Sequence, residues 1–560
     1  MKKIPIGISD FKTIIDENYY YIDKSLFIKE IIDDGAKVIL LPRPRRFGKT
    51  LNMSMLRYFY EKTEENNGKL FEALEICKHE EIMSMQAKYP VIYLTFKDEK
   101  YSTWEDCRNG IQILISNLYR EHEYLLKDDF LDEYQRKNYI NVISKEANIV
   151  ELSKSLSELC HYLYKYHKTK AVILIDEYDV PIQAGFLNNY YDKIIEFMRN
   201  FLSSGLKDNI YLEKAVLTGI LRVSKESIFS GLNNLKVSTL MRDSYASSFG
   251  FIDEEVINIL KDFSIDYEID EVRSWYNGYI FGSKIIYNPW SIINYVDNYK
   301  DGFRPYWVNT SSNDLVKKLL TNGGEKIKQE LESLVRGEEI VKVVNEDIVM
   351  NEIDKSTENV WSFLLFSGYL KVVKQELKNG RTYCNFKIPN LEVLYIYEEI
   401  IMSWFNESID SDKFNLMLQS LVTGDIKIFT KIFKSYVLNS LSYFDVSRNE
   451  SEKVYHAFVL GMLVALSENY EVKSNRESGY GRYDVMIIPK DHNKLGIVIE
   501  FKKADEDDKE TLEDAVEAAL KQIKDKKYSE ELKSRNVQNI IELGIAFQGK
   551  EVMIKELSRN

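Results

Sequence analysis

Residues 36–50, AKVILLPRPRRFGKT, decide how the first part of the chain folds. The apolar run at 36–42 is typical of a buried strand, and from Lys49 onward apolar residues recur at helical spacing. The loop between them ends in Gly48, Lys49 and Thr50, the tail of the phosphate-loop pattern G-x-x-x-x-G-K-[ST]. A strand, a tight loop and a helix N-terminus predict an anion site, because free backbone N–H groups and the helix dipole face one point.

The loop departs from this pattern at its first glycine, whose place is taken by Arg43. In the usual pattern this glycine allows the geometry of the turn and does not affect the charge of the site. This chain must therefore make the turn with another backbone conformation. Arg43, Arg45 and Arg46 would add positive charge, as a phosphate pocket requires. We count Arg45, Arg46 and Gly48 among the residues that bind the nucleotide.

A phosphate loop needs a carboxylate at the end of a neighbouring strand, and VILIDEYD at 172–179 supplies one. Lys49 would neutralise the β- and γ-phosphates of ATP, and Thr50 would place its hydroxyl on Mg²⁺. Asp176 would hold the same ion, directly or through water, and Glu177 would act as general base on the attacking water. The alternative is a buried strand that ends in surface acids near a basic loop.

The strand predicted at 212–220 ends in Thr218, and Arg222 follows it closely. If the loop binds ATP, Thr218 would contact the γ-phosphate region and Arg222 would be a phosphate sensor. The alternative is a strand end followed by a solvated arginine. Four predicted strands are nearly continuous apolar runs, which favours a parallel sheet covered on both faces: 36–42, 89–96, 170–177 and 212–220.

The last part of the chain predicts the order α-β-β-β-α-β. The elements are a helix at 451–469, strands at 470–478, 482–489 and 494–504, a helix at 510–528 and a strand at 539–547. Side chains alternate along a strand, so Glu500 and Lys502 share one face of the third strand while Phe501 packs into the other. Asp484, on the adjacent strand, can meet Glu500.

These polar residues suit a metal-dependent nuclease. Asp484 and Glu500 would bind Mg²⁺, or Mn²⁺, through carboxylate oxygens, and Glu477 could complete the metal shell or hold a second ion. Lys502 would orient or activate a water for in-line attack on a phosphodiester. The alternative is a domain that keeps the fold without cleavage. Two residues of the following helix could contact the nucleic-acid backbone: Gln522 and Tyr528.

Several segments resemble a known pair of families. One group of segments is similar to the bacterial AAA-ATPase-like family, whose ATPase domain is usually followed by a nuclease-like domain. These segments are RPRRFGKT, LIDEYDVPI, LTGILRVSKESIFSGLNNL, IPIGISDF, YYYIDKSLFIKE and WYNGYIFG. A second group of segments resembles the PD-(D/E)XK nuclease superfamily: SNRESGYGRYDVMIIP, IVIEFKK and ALKQIKDKKY. The resemblance implies that an arginine-rich loop without the first glycine is ordinary here. It also implies a role in mobile-element or antiviral defence.

We therefore predict an α/β protein with three regions. Residues 1–235 form a P-loop, AAA-like ATPase domain with a parallel sheet flanked by helices. Residues 236–405 form a mixed, mostly helical, lid-like region, and residues 410–560 form an αβββαβ restriction-endonuclease-like domain. Five aromatic residues in the middle region could stack bases or pack a core or domain interface: Trp275, Tyr276, Tyr279, Tyr287 and Trp290.

Composition limits the other possibilities. The chain has 560 residues and a net charge of −13, which disfavours broad nonspecific binding to nucleic acid but allows a local basic groove. The four cysteines are scattered, so we expect neither a zinc site nor a disulfide framework, and we expect a cytoplasmic protein. Apolar runs are too short to cross a membrane, so no membrane partner is expected.

Two functions follow from these observations. The first is an ATP-driven or ATP-gated nuclease that acts on nucleic acid, with DNA favoured over RNA and RNA left open. The second is a nucleotide-dependent regulatory switch whose nuclease-like domain only binds nucleic acid or a protein. The negative net charge favours the switch, and the complete set of Asp484, Glu500 and Lys502 favours the enzyme. An arginine finger supplied in trans is not evident, so a homo-oligomer and an unknown protein activator both stay open.

Overall fold

The computed structural model describes residues 2–127, 130–221, 234–307, 314–321, 323, 325–335, 337–348, 350–406, 411–440, 466, 469–478, 481–504, 510–548 and 551–557. The chain forms two compact units. The first unit comprises Met1–Leu315 and Val341–Val393, and the second comprises Val316–Ile340 and Leu394–Asn560. Most of the predicted middle region thus lies in the same unit as the phosphate loop. The bounds of the three predicted regions stay predictions.

The first unit contains a five-stranded parallel sheet in the order β2-β3-β4-β1-β5. Its strands are β1 Val38–Pro42, β2 Val91–Thr95, β3 Ala171–Asp176, β4 Leu212–Gly219 and β5 Leu235–Val237. The side chains of β1 and β3 are buried throughout, which explains why the continuous apolar runs predicted these strands. Strand β5 was not predicted, because it is short and only partly buried.

The sheet brings the carboxyl ends of its central strands together. Leu41 of β1 pairs with Thr218 of β4, and Ile175 of β3 pairs with Leu217. Because the strands are parallel, the loop after β1, the acid at the end of β3 and the hydroxyl at the end of β4 meet at one edge. This edge is where α/β sheets bind ligands.

Four helices of the first unit pack on this sheet: Lys49–Tyr60, Trp104–Glu121, Ile149–His167 and Tyr191–Leu206. The α-helices of the first unit are Phe11–Asp16, Leu26–Asp33, Lys49–Tyr60, Glu80–Met83, Trp104–Glu121, Glu133–Ser144, Ile149–His167, Val180–Leu187, Tyr191–Leu206, Asp253–Asp262, Ile269–Tyr276, Pro289–Asp297 and Thr357–Phe366. Short 3₁₀ helices occur at Asn67–Phe71, Glu75–Lys78, Glu123–Leu126, Tyr299–Asp301 and Met350–Lys355. Helix Ile149–His167 begins at a capping box in which Asn148 and Glu151 exchange side-chain and backbone hydrogen bonds.

The middle part of the first unit adds two small sheets to these helices. One is the hairpin of β6 Tyr279–Phe281 and β7 Lys284–Ile286, and the other contains β8 Ile340–Val343, β9 Lys371–Lys378 and β10 Arg381–Lys387 in the order β8-β10-β9.

The predicted aromatic cluster belongs mainly to the interior. Tyr276, Tyr279 and Tyr287 are fully buried, and Trp275 stacks on Phe303. The buried rings therefore pack the core, which was the second of the two expectations for this cluster.

The second unit contains a mixed sheet in the order β11-β12-β13-β14-β15. Its strands are β11 Tyr470–Ser478, β12 Gly481–Pro489, β13 Gly496–Lys503, β14 Ile540–Gln548 and β15 Glu551–Glu556. Strands β13 and β14 are parallel, and helix Leu512–Lys526 lies between them in sequence as a crossover connection. The predicted β-β-β-α-β order is confirmed, and β15 is an additional strand. The predicted helix at 451–469 lies almost wholly outside the described residues.

Further helices complete the chain. They are Asp314–Thr321, Glu325–Val335, Leu391–Asn406, Ser411–Thr423, Ile426–Ser440 and Glu530–Ser534. Helix Leu391–Asn406 begins in the first unit and continues in the second. Across the described ranges, no helix combines the length and apolar character needed to span a membrane.

Candidate functional sites

The phosphate loop lies between β1 and helix Lys49–Tyr60. Gly48 is the N-cap of this helix and has a φ of 84°. Because glycine has no side chain, the N-cap residue leaves the free N–H groups of the first turn uncapped. Arg45, Arg46 and Gly48 line a cavity of about 690 Å³ together with Lys49 and Thr50. This volume is within the range of sites for small molecules and cofactors.

Gly48→Ala should lower the free energy of unfolding by about 1 kcal/mol, because an L-residue is strained at this positive φ. The space around an added Cβ is open, so the cost comes from the backbone alone. The midpoint of thermal unfolding measures it. Gly35→Ala is the matched control, since Gly35 also has open space but no positive φ. A Gly48→Ala protein as stable as the Gly35→Ala protein would contradict the prediction.

Lys49 lies under the loop in the described structure. Its side chain is 4% exposed, and Nζ donates to the carbonyl oxygens of Arg43 at 3.1 Å and Pro44 at 2.9 Å. Burial lowers the pKa of Lys49, and the nearby carboxylate of Glu177 opposes that shift. The carbonyl groups of the loop therefore hold the ammonium group beside it.

Two hydroxyl groups converge on the acid at the end of β3. Thr50 Oγ1 donates to Asp176 Oδ2 at 2.7 Å, and Thr218 Oγ1 donates to Asp176 Oδ1 at 2.5 Å. Burial raises the pKa of Asp176, and both hydrogen bonds act in the opposite direction. The hydroxyl of Thr50 and the carboxylate of Asp176 are hard oxygen ligands in contact, a donor set that fits Mg²⁺.

The other predicted residues of this site lie around the cavity. Glu177 lines it and has a φ of 52°, a strained conformation of the kind that clusters at functional sites. The Arg46 guanidinium lies 4.3 Å from the centre of the Trp290 ring, and Arg45 Nη2 is 3.4 Å from Gln183 Oε1. Arg222 lies outside the described residues.

Arg43 does not add charge to the cavity, contrary to the sequence-based expectation. Its side chain is fully buried, and Nη1 donates to the carbonyl oxygens of Pro42 at 2.8 Å and Ser238 at 2.7 Å. The guanidinium also lies over the rings of Phe249 and Phe281. Burial lowers the pKa of Arg43 to about 9. The residue in place of the first glycine is thus an internal anchor that joins the loop to the segment after β5.

Arg43→Gly, which restores the usual pattern, should destabilise the protein by about 3 kcal/mol. The change leaves buried carbonyl groups without their donor and removes the packing on two rings. Thermal unfolding measures the effect. Arg242→Gly is the control, because Arg242 is exposed and its ion pair with Glu346 should contribute little. An Arg43→Gly protein with the stability of wild type would show that the Arg43 side chain does not stabilise the fold.

Asp179 is a residue at this site that sequence reasoning missed. It is fully buried, lines the cavity, and Oδ2 accepts hydrogen bonds from the backbone of Ile220 at 2.9 Å and Leu221 at 3.1 Å. It therefore fixes the chain that follows Thr218. The sequence could have indicated Asp179, because it is the third acidic residue of VILIDEYD.

In the second unit, the three predicted catalytic residues meet on β12 and β13. Asp484 Oδ2 accepts a hydrogen bond from the backbone of Phe501 at 2.8 Å, and the Asp484 N–H donates to Glu500 Oε2 at 3.3 Å. Lys502 Nζ is 3.7 Å from Glu500 Oε1. Burial raises the pKa of Asp484, while the Phe501 N–H and the Lys502 charge lower it. Two carboxylates and an ammonium group thus share one face of the sheet.

Gln522 and Tyr528 lie against this cluster. Gln522 Nε2 donates to Glu500 Oε1 and also to the Tyr528 hydroxyl, at 3.1 Å. In this arrangement the two residues orient the carboxylate of Glu500. Their contact with a nucleic-acid backbone stays a prediction.

Glu477 lies on β11 opposite Arg482 of β12, and its side chain is outside the described residues. Among the side chains that the structure does describe, no group of three or more His, Cys, Asp or Glu residues is arranged to hold a metal. Asp484 and Glu500 are the described carboxylates of this site, and hard oxygen ligands of this kind fit Mg²⁺ or Mn²⁺.

Two family models match different parts of the chain. Residues 5–229 match the family model of the predicted AAA-ATPases, and residues 450–557 match that of the PD-(D/E)XK nuclease superfamily. The chain therefore combines an AAA-ATPase-like domain with a PD-(D/E)XK nuclease superfamily domain, and the architecture implied by the resemblance is confirmed.

One relative spans almost the whole chain. The "Uncharacterized protein in vnfD 5'region" of Azotobacter chroococcum mcd 1 is 26% identical over 555 residues. The alignment covers 98% of this chain and 96% of that protein, so the likeness includes the segment between the two matched domains.

Proposed function

We propose that this protein is an ATP-dependent nuclease that cleaves DNA. The observation that carries the proposal is the cluster of Asp484, Glu500 and Lys502 in a chain that also holds a phosphate loop beside Asp176. The family matches support an ATPase and a nuclease-like domain. The choice of DNA, a role in defence against mobile elements and a cytoplasmic location rest on the resemblance and on the scattered free cysteines.

At the first site, the side chains act on the phosphates of ATP. The N–H groups of the loop and Lys49 bind the β- and γ-phosphates, which are strongly anionic. Thr50 and Asp176 hold Mg²⁺, and the ion when bound neutralises the charge of the phosphate oxygens. Glu177 orients the attacking water and takes its proton, and Thr218 positions the γ-phosphate end.

At the second site, the side chains act on a phosphodiester. Asp484 and Glu500 hold Mg²⁺ or Mn²⁺, which when bound stabilises charge on the transferring phosphoryl group. Lys502 orients the attacking water by hydrogen bonding. Gln522 and Tyr528 keep the Glu500 carboxylate in one orientation, as groups behind metal ligands do.

The test is cleavage of labelled single- and double-stranded DNA and RNA by the purified protein in Mg²⁺ or Mn²⁺, with and without ATP. Cleavage of DNA that depends on ATP is the expected result. Cleavage of RNA alone would overturn the substrate assignment. ATP hydrolysis without cleavage of any substrate would instead support a nucleotide-dependent switch.

A further inference from the structure

The carbonyl groups of the phosphate loop are held by two donors. Lys49 Nζ binds the carbonyls of Arg43 and Pro44, and the indole Nε1 of Trp307 donates to the carbonyl of Arg45 at 3.2 Å. Three successive carbonyl groups are therefore fixed. Because the C=O and N–H of a trans peptide point in opposite directions, fixing the Arg45 carbonyl also fixes the direction of the Arg46 N–H.

Trp307 is itself held by a buried acid. Its backbone N–H donates to Glu392 Oε1 at 2.7 Å, and Glu392 Oε2 accepts a hydrogen bond from Ser291 Oγ at 2.7 Å. Trp307 is 3% exposed and Glu392 is fully buried. The Trp307 ring also packs on Tyr369, with ring centres 5.1 Å apart. The position of the indole is thus set by buried groups of the first unit.

This arrangement matters because the loop lacks its first glycine. A glycine lets the chain adopt the turn without side-chain restriction, whereas Arg43 and Pro44 give no such freedom. Lys49 is needed at the phosphates, so its bonds to the loop carbonyls compete with its proposed role. The indole of Trp307 does not line the cavity and can keep its bond to Arg45 while nucleotide is bound.

We propose that Trp307, oriented by Glu392, is a positioning residue that holds the phosphate loop in its anion-binding shape. This inference rests on the proposed function of the first site. Loss of the indole N–H should weaken binding of phosphates and leave binding of a nucleoside unchanged. A general loss of stability would instead weaken both.

The test compares Trp307→Phe with Trp275→Phe by calorimetric titration with ATP, ADP and adenosine. Both variants exchange an indole for a phenyl ring, but the Trp307 indole donates to the Arg45 carbonyl whereas the Trp275 ring stacks on Phe303. Trp307→Phe should raise the Kd for ATP about tenfold, the effect of one lost hydrogen bond of ordinary strength, with a smaller rise for ADP. The Kd for adenosine, and all three values for Trp275→Phe, should match wild type.

A second pair of variants covers the case in which Trp307→Phe does not fold. Glu392→Gln retains an acceptor for the Trp307 N–H and should bind ATP like wild type, whereas Glu392→Ala should show the same phosphate-selective loss. Equal losses of affinity for ATP and adenosine would overturn the inference. Wild-type affinity for ATP in a folded Trp307→Phe protein, or in a folded Glu392→Ala protein, would overturn it as well. Failure of the wild-type protein to bind ATP would overturn the proposed nucleotide function, and this inference with it.

Discussion

Lys49→Ala should reduce ATP hydrolysis by at least about a hundredfold, since removal of one group that stabilises developing charge has effects of this size. The ammonium group is buried at the loop and donates to two of its carbonyl groups. Alanine removes the charge that would face the phosphates and leaves the carbonyls of Arg43 and Pro44 without this donor. Steady-state phosphate release measures the rate.

Lys137→Ala is the control for this change, because Lys137 is exposed on helix Glu133–Ser144. It should hydrolyse ATP at the wild-type rate. If cleavage of DNA depends on ATP as proposed, Lys49→Ala should also lose cleavage while its second site is intact. Hydrolysis that survives in Lys49→Ala would mean that the loop does not act on ATP phosphates.

Glu500→Gln should reduce metal-dependent cleavage by about a hundredfold to a thousandfold. The carboxylate is 1% exposed and lies between Asp484, Lys502 and Gln522. Glutamine preserves the volume and can still accept a hydrogen bond, but it removes the negative charge that a divalent cation requires. Cleavage of labelled DNA measures the rate, and fluorescence anisotropy without divalent metal measures DNA binding, which should be unchanged.

Glu542→Gln, on the neighbouring strand β14, is the matched control and should cleave like wild type. Retention of ATP hydrolysis in Glu500→Gln would show that the first site is undamaged. Full cleavage by Glu500→Gln would place the nuclease chemistry elsewhere. Loss of DNA binding together with cleavage would indicate that Glu500 supports the fold of the domain and not the reaction.

The sequence predicts well the elements whose signal is local. Strands β1 and β3 are continuous apolar runs that are buried on both faces, so composition alone identifies them. Strands β5 and β15 lack such a run, since both are only partly buried, and they depend on a neighbouring strand. The order of the parallel sheet likewise depends on packing between distant segments.

The residues of the candidate sites were likewise predictable only where their sequence signal is local. Lys49, Thr50 and Asp176 follow directly from a loop and a strand end, and the structure places them together at one edge of the sheet. Trp307 and Glu392 reach the loop only through tertiary contacts, and nothing in their local sequence indicates this position. The direction of the Arg43 side chain could not be predicted either, because it depends on carbonyl groups in a separate segment.

The burial of Arg43 limits the routes by which this site can change. The usual glycine at this position requires a loop that is supported by its own backbone, whereas this loop is supported by a side chain inserted into the segment that includes Ser238 and Phe249. A single change from arginine to glycine therefore removes the support before an alternative exists. If Arg43→Gly is as destabilising as predicted, the two forms of the loop are separated by an epistatic barrier, and conversion requires coordinated substitutions in both segments.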